Sequence, residues 1–276
     1  MAPPREASAL VLVHDGSWEG FLCALGDFLN EEALRGGRPG ISGGRDLELR
    51  GPEGAAGLFE DRRPVPRDEA RAARLLCRLT PPLEARSWEK LRAAFASDLA
   101  GREGAMARLV AQARREGVGA FDSFGDPDAL LVEKAATRAC REAHRLLGLL
   151  RFRELADGSL YASLDPDCAV LPLIADHFSA RFPAFRWAIR DERRDEALVH
   201  EPGRGWSLGR GLRLGEEEGG SAGELPLSAR ELEIQAFWKR YFETIAIEER
   251  ANPGLQASFM PKKYWKNLPE KDGSSD

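Results

Sequence analysis

The 276-residue chain is short of the residues from which metal and redox centres are built. Its four cysteines, Cys23, Cys77, Cys140 and Cys168, lie 54, 63 and 28 residues apart, so no CxxC pair exists to form a zinc knuckle or a redox couple. No close cysteine triplet is present to hold an iron–sulfur cluster, which excludes a radical-SAM enzyme. The four histidines, His14, His144, His177 and His200, show no HxH, HxxxH or HExxH spacing, and no GxSxG elbow occurs. The expectation is therefore no metal, no cofactor and buried thiols. Long apolar runs are missing as well. The longest near the N-terminus, residues 9–13, falls far short of the roughly 20 residues a spanning helix needs, and residues 1–8 lack the shape of a signal peptide. This reading puts the protein in the cytoplasm, away from membranes.

Lysine is scarce too. Of 40 basic residues only seven are Lys, and four of those, Lys262, Lys263, Lys266 and Lys271, fall in the last fifteen positions. The Arg-, Ala- and Gly-heavy composition is what a GC-rich genome produces, and the lysine cluster runs against it. With 45 acidic residues the formal charge is −5, which argues against a polybasic DNA coat but leaves room for one basic face. What is plentiful is apolar and charged surface, at 43% and 31%, enough for one large core or two smaller ones.

Residues 9–13 are apolar without alternation, as in a strand covered on both faces, and Ser17 can cap a following helix bearing Phe21, Leu22, Leu25, Phe28 and Leu29. The Gly-rich stretch 36–44 lacks the Lys-Ser/Thr ending of a phosphate loop and reads as a loop. From Asp68 to Gly117 the pattern is helical. Asp126-Pro127 opens another helix reaching about Leu150. Strand candidates follow at 151–155 and 159–164, joined by Asp157-Gly158 as a type I′ hairpin, and again at 185–190, 197–200 and 206–208, with a helix over 167–181 between them. Residues 209–227 are Gly- and Glu-rich and read as a solvated loop. Ser228 and Glu231 then form a capping box before a helix whose apolar face is Ile234, Phe237, Trp238, Tyr241, Phe242 and Ile245. The fold class is α+β: a mostly antiparallel sheet of about five strands flanked by helices, with a helical middle region and a C-terminal helix. Residues 1–80 form a β-α segment and loop packed on the rest, and 81–276 a second domain, unless the two are continuous.

The run Trp238-Lys239-Arg240-Tyr241-Phe242-Glu243-Thr244-Ile245, then residues 247–253, Gln256 and Met260-Pro261-Lys262-Lys263-Tyr264-Trp265-Lys266, resembles the C-terminal signature of a bacterial family of unknown function described as DNA-metabolism proteins. The likeness extends through His144, Arg151-Phe152, His177 to Arg181, Trp187 to Arg193 and the opening His14 to Gly20, nearly the whole chain. In that family the stand-alone protein accompanies a radical-SAM protein of DNA modification or repair, and a similar domain precedes uracil-DNA glycosylase-like domains. The resemblance therefore implies work on DNA with a radical-SAM partner, and it implies no catalytic residue.

Three constellations are candidate sites. Arg250, Lys262, Lys263 and Lys266 carry +4 over 250–266 with no acid among them, and Asn252, Gln256, Tyr264 and Trp265 lie in the same stretch. Cations interleaved with aromatics suit nucleic acid, the backbone neutralised while bases stack; alternatively the aromatics dock the tail on the core and the lysines face water. His144 with Arg151, and His177 with Arg181, form two His/Arg pairs suited to phosphate or proton transfer, or else to ordinary structural roles. Asp191 opens a sign-alternating turn over 191–196; it can act in catalysis, hold a metal with Asp15 or His14, or simply order the turn. Function divides accordingly into an accessory DNA-metabolism protein, an enzyme acting on a nucleobase or phosphodiester through the His/Arg residues, and a scaffold whose ligand is its protein partner.

Overall fold

The computed structural model describes residues 9–34, 46–52, 60–80, 83–211, 226–245 and 252–268. The chain divides into two compact units, Met1–Ala139 and Cys140–Asp276.

In the first unit, β1 (Ala9–Val13) is the centre of a three-stranded parallel sheet, with β2 (Leu47–Arg50) and β3 (Glu60–Pro64) on either side. Val11 and Leu12 are fully buried, as a central strand covered on both faces requires. Between β1 and β2 runs α1 (Trp18–Leu34), started by Ser17, whose Oγ accepts the Gly20 N–H at 3.0 Å. The helices α2 (Glu69–Leu79), α3 (Ala85–Ala96) and α4 (Arg102–Glu116) follow, then a 3-10 turn at Val118–Asp122 and the start of α5 (Pro127–Leu149). Phe21, Leu25, Phe28, Leu49, Leu75, Leu91, Met106 and Leu109 fill one core. The sequence reading singles out neither β2, whose Leu-Glu-Leu-Arg alternation is only four residues long, nor β3. β3 reads Glu-Asp-Arg-Arg-Pro and carries no apolar face; it is a strand because its backbone pairs in register with β1, Ala9 to Glu60 through Val13 to Pro64.

In the second unit the sheet has five strands in the order β4-β5-β6-β7-β8, namely Arg153–Glu154, Leu160–Leu164, Trp187–Asp191, Glu196–Glu201 and Gly205–Arg210. Three of its pairings are antiparallel; β5 and β6 are parallel, joined by α6 (Leu171–Arg181) as crossover. The α+β reading, with five mostly antiparallel strands flanked by helices, is the observed fold. Trp187, Ile189, Leu198, Leu164, Ile174 and Phe178 form the core under α6. Trp187 stacks on His200 at 5.0 Å, and His200 Nδ1 lies 2.9 Å from the Phe185 carbonyl oxygen. The hairpin at Asp157-Gly158 is not type I′. Gly158 alone has positive φ, the Gly158 N–H closes on the Leu155 carbonyl, and Asp157 accepts the Ser159 N–H and O–H, so one left-handed residue suffices. After β8 come α7 (Ala229–Ile245), α8 (Pro253–Phe259) and a 3-10 helix, Lys262–Asn267. Ser228 caps α7 through the Glu231 N–H, but Glu231 completes no box: its carboxylate accepts the Glu154 N–H of β4 at 3.1 Å. Among the described residues no helix is long and apolar enough to cross a membrane.

Candidate functional site

The C-terminal basic-aromatic segment is seated on a buried carboxylate that sequence reading did not single out. Glu142, on α5, is 6% exposed. Its Oε1 accepts from Lys263 Nζ (2.8 Å), Tyr264 O–H (2.5 Å) and the Asp167 N–H (3.0 Å), and its Oε2 from the Cys168 N–H (2.7 Å). Burial alone would raise its pKa, but bonds from Lys263, Tyr264 and the two amides outweigh that and hold it at about 2. The same contacts act in reverse on their donors. Burial and the bond to Glu142 push Tyr264 up to about 12; Lys263, which burial would lower, is raised by its bonds to Asp167 and Glu142.

Asp167 carries the network onward, its carboxylate meeting Lys263 at 2.7 Å and Arg193 at 3.0 Å. Lys266 donates to Asp165 (3.1 Å) and Glu192 (2.9 Å), and Ser163 Oγ donates to Asn267 (3.2 Å). Lys262 is exposed, its ammonium 5.7 Å from the Trp265 ring centre, and the Trp265 indole N–H donates to the Met260 carbonyl. Asn252 is the N-cap of α8, accepting the Leu255 N–H at 2.9 Å, and Gln256 lies within α8. Arg250 lies outside the described residues. The acid-free stretch of the sequence is thus met in space by Glu142, Asp165, Asp167 and Glu192, and two of its lysines are bound to carboxylates.

The His/Arg candidates occupy other places. His144 is exposed on α5 and His177 on α6, with its ring 5.1 Å from Phe178. Arg151 closes the end of α5 by donating to the Gly148 and Leu150 carbonyls, and Arg181 lies 5.6 Å over the Phe182 ring. Asp191 is fully buried, and burial raises its pKa despite the Arg194 pair. Its Oδ1 accepts the N–H groups of Arg193 and Arg194, and its Oδ2 accepts from the Arg194 guanidinium at 2.9 Å; Arg194 reaches on to the Pro166 and Asp167 carbonyls. The turn is therefore tied into the loop ahead of α6. In the first unit Asp15 Oδ1 is taken by Ser17, and His14 Nδ1 accepts the Gly16 N–H. Among the described residues no group of three or more His, Cys, Asp or Glu is placed to hold a metal ion.

Residues 100–270 match the family described as a domain of unknown function, DUF4130. The chain belongs to that family. No curated protein and no solved structure matches it. The matched region takes in the whole five-stranded sheet, α7, α8 and the Glu142 cluster. It also contains exposed apolar side chains on α7, the helix whose apolar face the periodicity indicates, and on α8. Leu232, Ile234, Phe237 and Tyr241 on α7 are exposed, Phe237 at 68%, with Phe237 and Tyr241 stacked at 6.4 Å; on α8 Leu255 and Phe259 are exposed at 56% and 74%.

Proposed function

We propose that this DUF4130 protein is a non-catalytic accessory factor of DNA metabolism that docks a protein partner through the apolar row of α7 and α8. The observation that carries the reading is the exposure of Ile234, Phe237 and Tyr241 along one face of α7, with Leu255 and Phe259 exposed on α8, all inside the family region. Exposed apolar surface on one helix face marks interaction sites, and positions 234, 237 and 241 have the spacing of a helix that anchors in a partner's groove. Burying one such side chain is worth roughly 1.5–3 kcal/mol. By the family resemblance the partner is the radical-SAM protein of DNA modification or repair. Contact with DNA then runs through that partner, because Lys263 and Lys266 are already paired with carboxylates. His144 and His177 are both exposed to water, which weighs against a buried acid–base site.

The test is co-expression with the radical-SAM protein and affinity capture after nuclease treatment. The complex survives nuclease, and Phe237→Asp with Tyr241→Asp abolishes it while Lys262→Ala does not. A complex that needs DNA, or one indifferent to the α7 changes, refutes the reading. A salt titration of single- and double-strand binding by the chain alone checks the DNA half: strong, salt-dependent binding lost in Lys262→Ala returns the function to the C-terminal segment.

A further inference from the structure

The two edges of the five-stranded sheet are treated differently. β4 is two residues long and the chain closes its outer side: Leu155 bridges Leu227, the Ala156 N–H donates to the Pro226 carbonyl (2.7 Å), and the Ser228 N–H donates to the Glu154 carbonyl (3.0 Å). β8 is six residues long and exposed throughout, and among the described residues no strand pairs with its outer side. It contains no proline and no lysine, and its one charged side chain, Arg210, is paired with Glu196 of the neighbouring strand, so the edge is only weakly defended against pairing.

The backbone phase of β8 follows from one bond. The Gly211 N–H donates to the Asp195 carbonyl at 3.2 Å, and the register runs from Glu196 opposite Arg210 to Glu201 opposite Gly205. In an antiparallel ladder this alternation turns the backbone groups of Gly205, Ser207 and Gly209 toward β7 and those of Trp206, Leu208 and Arg210 outward. The same three side chains share a face. Trp206 is fixed by its indole N–H on Asp176 of α6 (2.9 Å), Arg210 by Glu196 (2.9 Å), and Leu208 is exposed between them.

We propose that β8 pairs with β8 of a second copy of this chain, antiparallel and centred on Leu208, so that two sheets join edge to edge. The outward triplet is symmetric about Leu208, so a twofold there sets Leu208 against Leu208 and each Trp206 against the second copy's Arg210, an apolar pair flanked by two cation–π pairs. About six backbone hydrogen bonds satisfy every outward group of the triplet. Centring on Ser207 instead would set Arg210 against Arg204, like charges directly opposite, which disfavours that register. The proposal is independent of the α7–α8 surface.

Sedimentation and light scattering of the full chain from low to high micromolar concentration test it. The wild type is a dimer, and its Trp206, Leu208 and Arg210 amides gain hydrogen-exchange protection as concentration rises. Leu208→Pro removes one outward N–H and leaves the ladder with β7 intact; Leu208→Lys places like charges on the twofold. Both are monomers with unchanged far-UV circular dichroism, while Phe237→Asp stays dimeric. Should Leu208→Pro misfold, Leu208→Lys and the wild-type exchange pattern carry the test. A wild type that is monomeric throughout, a dimer that persists in Leu208→Lys, or one lost only in Phe237→Asp overturns the proposal.

Discussion

Replacing Glu142 by Gln removes one charge from the place where the C-terminal segment is anchored, and the structure sets the size of the effect. The carboxyl falls from its ordinary 4.5 to about 2 on folding. At about 1.36 kcal/mol per pH unit that is about 3 kcal/mol of stability at neutral pH. Gln keeps an acceptor oxygen but turns an N–H₂ toward Lys263, Tyr264 or the Cys168 amide, all of which are donors to Glu142. The expected loss is therefore about 3 kcal/mol at pH 7, or a melting temperature lower by about 6–12 °C. Because the folded value lies below the ordinary one, this stability is complete above about pH 5 and is lost as pH falls through 4.5 toward 2; about 2 kcal/mol has gone by pH 3. Urea unfolding of both proteins at pH 7 and pH 3, followed by hydrogen exchange at β5 and β6, measures it. The gap between wild type and variant should narrow from about 3 to about 1 kcal/mol. A gap below about 0.5 kcal/mol at pH 7, or one that is the same at both pH values, refutes the reasoning.

Lys263→Met leaves Glu142 buried with its main cation gone and should cost about 2–4 kcal/mol in urea melts, whereas Lys266→Met, at an exposed pair, should cost less than about 1 kcal/mol. His14, buried among Phe21 and Phe95, has its pKa lowered by that burial to about 4. It stays neutral in the folded chain, so its contribution is whole above 6.5 and falls away toward pH 4; an NMR titration finding it protonated at pH 6 would contradict this. Gly158→Ala meets no atom within 4 Å, so the positive φ is its only penalty, about 1 kcal/mol by thermal melts; a neutral result would mean the turn relaxes.

The α7 surface separates local from tertiary information. Spacing of Ile234, Phe237 and Tyr241 sets helix and face alike, since both are periodic properties of the chain. Whether that face is covered depends on what lies opposite, and sequence periodicity reads the same for a core face and a docking face. β3 was illegible for a related reason, and β2, a four-residue alternation, nearly so: their identity rests on pairing with β1, and no local pattern records a partner.

By itself the sequence determined the strand and helix order of the second unit from β4 to α7, the caps at Ser17, Asp126 and Ser228, and the absence of close cysteine or histidine ligand sets, because each depends on neighbours a few residues away. It could not determine the charge of the C-terminal segment as solvent meets it. Lys263 and Lys266 stand in an acid-free stretch, yet their carboxylates come from 74 to 121 residues away. Electrostatics acts through space over a few ångströms, so only the tertiary structure decided that a basic tail is an internal tether.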